Sequence, residues 1–124
     1  DWRGWWGAEP PFHVPVFVLT HRVPRPPLAF PDGTVFRFLA AEPAEALTLA
    51  LEAADGRDVR IGGGPTVVRE YLKAGLVDRL HVGIAPILLG RGIRLWDDLR
   101  GLEDGYRVTS ETAESGTIHL TFER

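Results

Sequence analysis

Residues 60–72 read RIGGGPTVVREYL, with three consecutive glycines between an apolar stub and a helix-like run. Glycine interrupts strands and helices alike. A triplet is therefore kept where the backbone needs a conformation, or a close neighbour, that a Cβ would forbid. Pro65 suits the first turn of a helix. Val68, Leu72 and Leu76 then fall on one stripe at i, i+4 and i+8, and Gly75 reads as the cap that ends the helix. The glycines are thus expected at the junction of a strand over residues 58–62 and a helix over residues 65–74.

The neighbouring segments repeat this alternation. "PVFVLT" over residues 15–20 and "TVFRFL" over residues 34–39 read as short buried strands, separated by a proline-rich loop. A helix is predicted over residues 43–54, with Leu47, Ala50, Leu51 and Ala54 on one face and Asp55-Gly56 at its end. A strand over residues 79–87 follows, with Leu80, Val82 and Ile84 on one face and His81, Gly83 and Ala85 on the other. Residues 106–111 and 117–123 read as a hairpin around "AESG". Strands alternating with helices predict an α/β domain: a mostly parallel central sheet, crossover helices and a C-terminal antiparallel hairpin.

Composition narrows the function classes. The 124 residues suit one domain, and 44% hydrophobic with 25% charged residues is ordinary globular usage. The formal net charge is −3 and Lys73 is the only lysine, so no basic stripe for nucleic acid or anionic membrane is present. No run of about 18 apolar residues exists to span a bilayer. The absence of cysteine excludes disulfides and thiolate metal sites and accords with a cytoplasmic location. The four histidines show no H-x-x-E-H or H-x-x-x-H spacing, so no metal is expected. The chain lacks methionine and opens on Asp1, so upstream sequence is expected.

The glycine junction has a chemistry. In open α/β sheets, ligands bind at the carboxyl ends of strands. A helix start presents unpaired N–H groups and the positive end of the dipole, which suits phosphate. Gly62, Gly63, Gly64, Pro65 and Thr66 form the candidate turn. It is neither G-x-G-x-x-G nor a P-loop, and a tight turn with close strand–helix packing explains it as well. Thr20, His21 and Arg22, at the end of the first strand, offer a hydroxyl, an imidazole and a guanidinium, a set that suits the 2′-phosphate of NADP. Trp5 and Trp6 either pack on the core or form one wall of a substrate pocket. Asp97 and Asp98 read as a helix cap.

Together, "RIGGGPTVVREYLKAGLVDRLHVGIAPILLGRGIRLW" and the upstream "PPFHVPVFVLTHR" resemble the C-terminal reductase domain of bacterial bifunctional deaminase-reductases of riboflavin synthesis. That family has the dihydrofolate reductase-like three-layer fold. The pattern "LVDxLxxxIxPxLLGxGxxLF" is its most specific signature, here with Trp96 where phenylalanine is common. The resemblance spans residues 11–96, and the final hairpin fits the family's last two strands.

The resemblance implies NADPH binding and hydride transfer to a pyrimidine-, pterin- or flavin-related heterocycle. The reaction is of the 5-amino-6-(5-phosphoribosylamino)uracil reductase type. Carried over residue by residue, Gly62 to Thr66 match the pyrophosphate turn, and Thr20, His21 and Arg22 match the loop at the 2′-phosphate end. Leu39 and Ala40 match positions near the adenine. The family's preceding strand, helix and "GRxTY"-like turn, which line the nicotinamide and substrate pocket, have no counterpart here, and no catalytic acid is assigned. The family is commonly dimeric, and the apolar "GIAPILLGRGIRLW" predicts a homodimer. The alternatives are a non-catalytic nucleotide-binding module and a structural association domain.

Overall fold

The computed structural model describes residues 6–22 and 25–124. They belong to two compact units, Asp1–Arg60 and Ile61–Arg124.

The first unit holds β1 (Pro15–Leu19), β2 (Leu28–Ala29), β3 (Val35–Leu39) and α1 (Pro43–Ala54). The sheet order is β1-β3-β2, with β1 parallel to β3 and β2 antiparallel to it. Phe36, at 2% exposure, is its centre. Trp6 lies parallel to the Phe36 ring at 5.2 Å between centroids, while Phe12 and Phe30 meet it edge-on at 5.9 and 5.7 Å. Edge-on and offset-parallel rings satisfy the aromatic quadrupole, so this cluster gains more than its area alone. The β2–β3 turn is set by polar atoms. The fully buried Thr34 accepts a bond at Oγ1 from the His13 N–H and donates its hydroxyl proton to Asp32. Asp32 also accepts the Thr34 N–H.

Helix α1 has Pro43 in its first turn and ends on Asp55 in the left-handed region. Its inner face runs through Ala46, Leu47, Ala50 and Ala54. Leu51, expected on that face, is 49% exposed, and Ala46 takes its place at 3%. The small side chains at 46, 50 and 54 let the helix lie close to its contacts, which a wide leucine stripe would prevent.

The second unit holds α2 (Pro65–Lys73), β4 (Arg79–Ile84), a short 3-10 turn (Leu102–Gly105), β5 (Arg107–Thr112) and β6 (Ile118–Glu123). All its pairings are antiparallel, in the order β4-β6-β5. Helix α2 ends as expected. Gly75 has φ +70, its N–H bonds the Leu72 carbonyl, and the Leu76 N–H reaches back to the Tyr71 carbonyl. This pair of hydrogen bonds is the Schellman arrangement, which needs a left-handed residue at Gly75. Tyr71, Leu72, Val77 and Leu99 are buried.

Several expectations are corrected. Residues 58–62 form no strand: Val59 and Ile61 are half-buried and alternate with exposed Asp58 and Arg60, but no ladder partner joins them among the described residues. A strand exists only through its neighbour's hydrogen bonds, and a local alternation cannot supply those. The one parallel pair is β1–β3, so the described residues form two small sheets and do not display a parallel central one. Strand β4 stops at Ile84, where the chain turns through Pro86 and the Ile87 N–H bonds the Ala85 carbonyl. Asp97 and Asp98 cap no α-helix; they pair with Arg69 at 3.7 Å and Lys73 at 3.9 Å on α2. Among the described residues, no helix is long and apolar enough to cross a membrane.

Candidate functional site

The candidate residues form two segments, one in each unit. In the first, β1 runs out alongside β3, and the Thr20 N–H extends the ladder by bonding the Leu39 carbonyl at 2.9 Å. Thr20 and Leu39 are therefore held together at the carboxyl ends of two parallel strands, with Ala40 next in line. The Thr20 hydroxyl accepts the Arg22 N–H at 3.1 Å, which turns the chain immediately after the strand. His21 and Arg22 are exposed beyond this turn. Among the described residues, no carboxylate lies within ion-pairing distance of Arg22.

Sequence reasoning passed over Arg25. Its guanidinium lies 5.6 Å from the Phe38 ring centroid, on the residue before Leu39. The signal was the second arginine of "HRVPRPP", but only the β3 register shows which ring it covers.

In the second segment, Gly62, Gly63 and Gly64 are exposed and lead directly into α2. Gly63 has φ +128, a conformation that side chains other than glycine's rarely adopt. Gly64 is the N-cap at φ −79 and ψ −169, an ordinary extended conformation. A Cβ built on any of the three meets nothing within 4 Å in its own unit. Close packing against that unit is therefore not the reason for the triplet.

The first intrahelical bond is Val68 N–H to the Gly64 carbonyl, at 3.0 Å. Pro65 has no N–H, so the N–H groups of Thr66 and Val67 precede the ladder. No side chain caps them and no acidic residue stands in the first turn. The segment thus presents bare N–H donors, a threonine hydroxyl at Thr66 and a positive dipole end.

The remaining candidates fall elsewhere. Trp6 packs against Phe36 and Phe12 (ring centroids 5.2 and 5.4 Å), and Trp5 lies outside the described residues. Asp32 and Tyr71 depart from their ordinary protonation ranges and belong to neither segment. The Thr34 N–H above all holds the Asp32 carboxyl below its usual range; burial opposes it, and the Thr34 hydroxyl and the nearby His13 add to the lowering. Burial, with Glu70 nearby, pushes the Tyr71 phenol up. No group of three or more His, Cys, Asp or Glu is arranged around a metal position among the described residues.

The family described as the RibD C-terminal domain matches residues 1–118. The chain is 40% identical over 58 residues to the riboflavin biosynthesis protein RibD of Mycobacterium tuberculosis, covering 47% of this chain and 16% of that protein. It is 28% identical over 67 residues to the uncharacterized protein YyaP of Bacillus subtilis, covering 54% of this chain and 36% of YyaP. A solved structure, a pyrimidine reductase-like protein from Corynebacterium diphtheriae, superimposes with a TM-score of 0.50 at 27% identity, covering 73% of this chain and 38% of that one. The matched stretches thus span little more than a third, or less, of these relatives' lengths. The likeness to the solved structure implies a dihydrofolate reductase-like fold.

Proposed function

The chain belongs to the RibD C-terminal domain family, and we propose that it is a reductase domain of the riboflavin-pathway type that uses NADPH. Its substrate class is a pyrimidine-, pterin- or flavin-related heterocycle, and the reaction is of the 5-amino-6-(5-phosphoribosylamino)uracil reductase type. This reading treats residues 1–124 as one domain, working in the cytoplasm.

The observation that carries the cofactor reading is the uncapped start of α2 behind an unobstructed glycine triplet. These residues fit a pyrophosphate. The N–H groups of Thr66 and Val67 and the Thr66 hydroxyl donate to its oxygens, and the bare Gly64 lets those oxygens approach the backbone. Arg22 and His21 fit a phosphate monoester, and Thr20 fixes their turn through its bond from the Arg22 N–H. Leu39 and Ala40 offer an apolar strand end to a flat base. NADPH, when bound, supplies the hydride; the chain's contribution from these residues is to hold and orient it.

The two glycines separate binding from folding. Gly63→Ala strains the backbone at φ +128, whereas Gly64→Ala enters open space at an unstrained φ. Gly64→Ala should keep the parent's cooperative melt and lose the rise in melting temperature that NADPH gives. An undiminished rise would remove the triplet from the cofactor site. Turnover of NADPH with a heterocyclic substrate distinguishes a reductase from a module that only binds nucleotide.

A homodimer belongs to this reading. Residues 87–93 expose Ile87 at 68%, Leu88 at 103%, Leu89 at 73% and Ile93 at 74%. Several large apolar side chains exposed within one short segment favour association. Light scattering that finds only monomer at tens of micromolar, on the order of the affinity of a weak dimer, would refute it.

A further inference from the structure

The second unit's sheet has two faces of opposite character. On the polar face the side chains answer one another. His81 Nε2 and His119 Nδ1 share a hydrogen bond at 3.0 Å, and Arg79 and Arg107 each pair with Glu123 at 3.1 Å. The apolar face is left with a hollow of about 430 Å3. That volume falls within the roughly 300–1,000 Å3 of small-molecule sites. Leu80, Leu120 and Phe122 form its floor, and Trp96, Leu102 and Tyr106 stand around it.

Two of the three polar side chains of this lining are engaged. The Tyr106 hydroxyl donates to the Val77 carbonyl at 2.6 Å and accepts from the Arg124 guanidinium at 3.3 Å, so its ring is what remains for the hollow. The Glu103 carboxylate accepts the Gly101 N–H at 2.7 Å, which fixes it on its own loop. The third is Arg100. It lines the hollow, is exposed, and has no ion pair among the described residues, with Glu103 or any other carboxylate. Trp96 is 44% exposed and Leu102 37%, and the Trp96 indole is tilted by 50° to the Phe122 ring, 6.0 Å away. Aromatic surface and an unanswered guanidinium therefore lie open to solvent around one hollow.

We propose that this hollow binds a small, flat aromatic acid, with the ring system inside and the carboxylate on Arg100. The ring system lies against Trp96 and Phe122, and aromatic pairs of this kind gain more than their buried area. Withdrawal of apolar surface from water drives entry. The planar guanidinium fork matches a planar carboxylate with two parallel hydrogen bonds. A neutral hydrocarbon leaves Arg100 unanswered, and a polyhydroxylated molecule finds no partners on Leu80, Leu102 and Leu120. The site lies wholly within the second unit and does not rest on the nucleotide reading. Spacing motifs could not show it, because its walls come from β4, β6 and the irregular chain before β5.

The test is a calorimetric titration of the full chain with naphthoate, and with naphthamide as its uncharged match in shape. One naphthoate should bind per chain. Naphthamide should bind about tenfold more weakly, the low end of what a charge-assisted hydrogen bond gives. Arg100→Gln should bring naphthoate down to the affinity of naphthamide and leave naphthamide unchanged. Leu80→Phe, whose added ring enters the hollow, should lose both ligands. No naphthoate binding up to about 1 mM, equal affinity of the parent for acid and amide, or parent-like affinity in Leu80→Phe overturns the proposal. A readout on the unaltered chain guards against a misfolded variant: nuclear Overhauser contacts from the naphthoate protons should reach the Trp96 indole and the Leu102 methyls. Contacts confined to residues of the first unit would refute the site.

Discussion

The two sheets solve the same problem in opposite ways. In β1-β3-β2, Phe36 is enclosed by three aromatic rings, and the turn beside it has its buried hydroxyl satisfied by Asp32 and His13. In β4-β6-β5 the apolar face is roofed by irregular chain. Leu80, Leu120 and Phe122 look onto a cavity of about 430 Å3 shared with Trp96, Leu99, Leu102 and Tyr106. Large flat side chains fill a small sheet's centre, whereas a roof of turns leaves a hollow. The first sheet should therefore resist added volume and suffer from its removal, and the second should do the reverse.

The strongest way to break this contrast is Phe36→Ala. Removing the enclosed ring should cost about 3–5 kcal/mol, seen as a large fall in the denaturation midpoint. A cost below about 1 kcal/mol would mean that the aromatic cluster is not the centre of its sheet.

Tyr106→Phe tests what holds the roof of the second sheet. The Tyr106 hydroxyl donates to the Val77 carbonyl at 2.6 Å, and Val77 is 8% exposed. Losing the donor strands a buried acceptor, with an expected cost of about 1–3 kcal/mol in urea unfolding. A neutral result would show that water reaches that carbonyl.

Leu80→Phe sharpens the contrast in the other direction. Its extra volume enters the hollow, and stability should rise by about 0.5–2 kcal/mol, as cavity filling commonly gives. A lower melting temperature would show that the roof already closes the space.

The smallest effect is acid sensitivity of the first sheet's turn. Asp32 has a folded-state pKa below its ordinary value of 3.8, chiefly through the Thr34 N–H. Its ionised form therefore stabilises the fold above that value, and the contribution is lost as pH falls through the lowered folded pKa. The gap in melting temperature between the parent and Asp32→Asn should narrow as the pH drops below 3.8. A gap constant through that range would mean that Asp32 holds the turn without its charge.

Much of this was legible in the sequence where the cause is local. Pro43 and Pro65 mark helix starts, Gly75 marks an end, and the "AESG" turn fixes the β5–β6 hairpin, because each acts through its own backbone preference. The edge formed by Thr20 and Leu39 was also legible, since both strands read clearly and run parallel. What failed depends on partners. Val59 and Ile61 alternate like a strand yet find no ladder among the described residues. Strand β2 is two residues long and is held by the Asp32–Thr34 turn, so it carries no pattern of its own. Arg25 over Phe38 and His81 against His119 depend on register and rotamer, which no spacing rule encodes.

The placing of the tryptophans has an optical consequence. Three of the four stand within the first six residues, and Trp96 is the sole indole of the second unit. Trp6 lies against the Phe36 ring, whereas Trp96 is 44% exposed at the mouth of the hollow, 6.0 Å from Phe122. In Trp96→Phe every remaining fluorophore of this kind reports from the first unit. The difference spectrum against the parent then isolates the second, so one denaturation series can time the two units' unfolding separately.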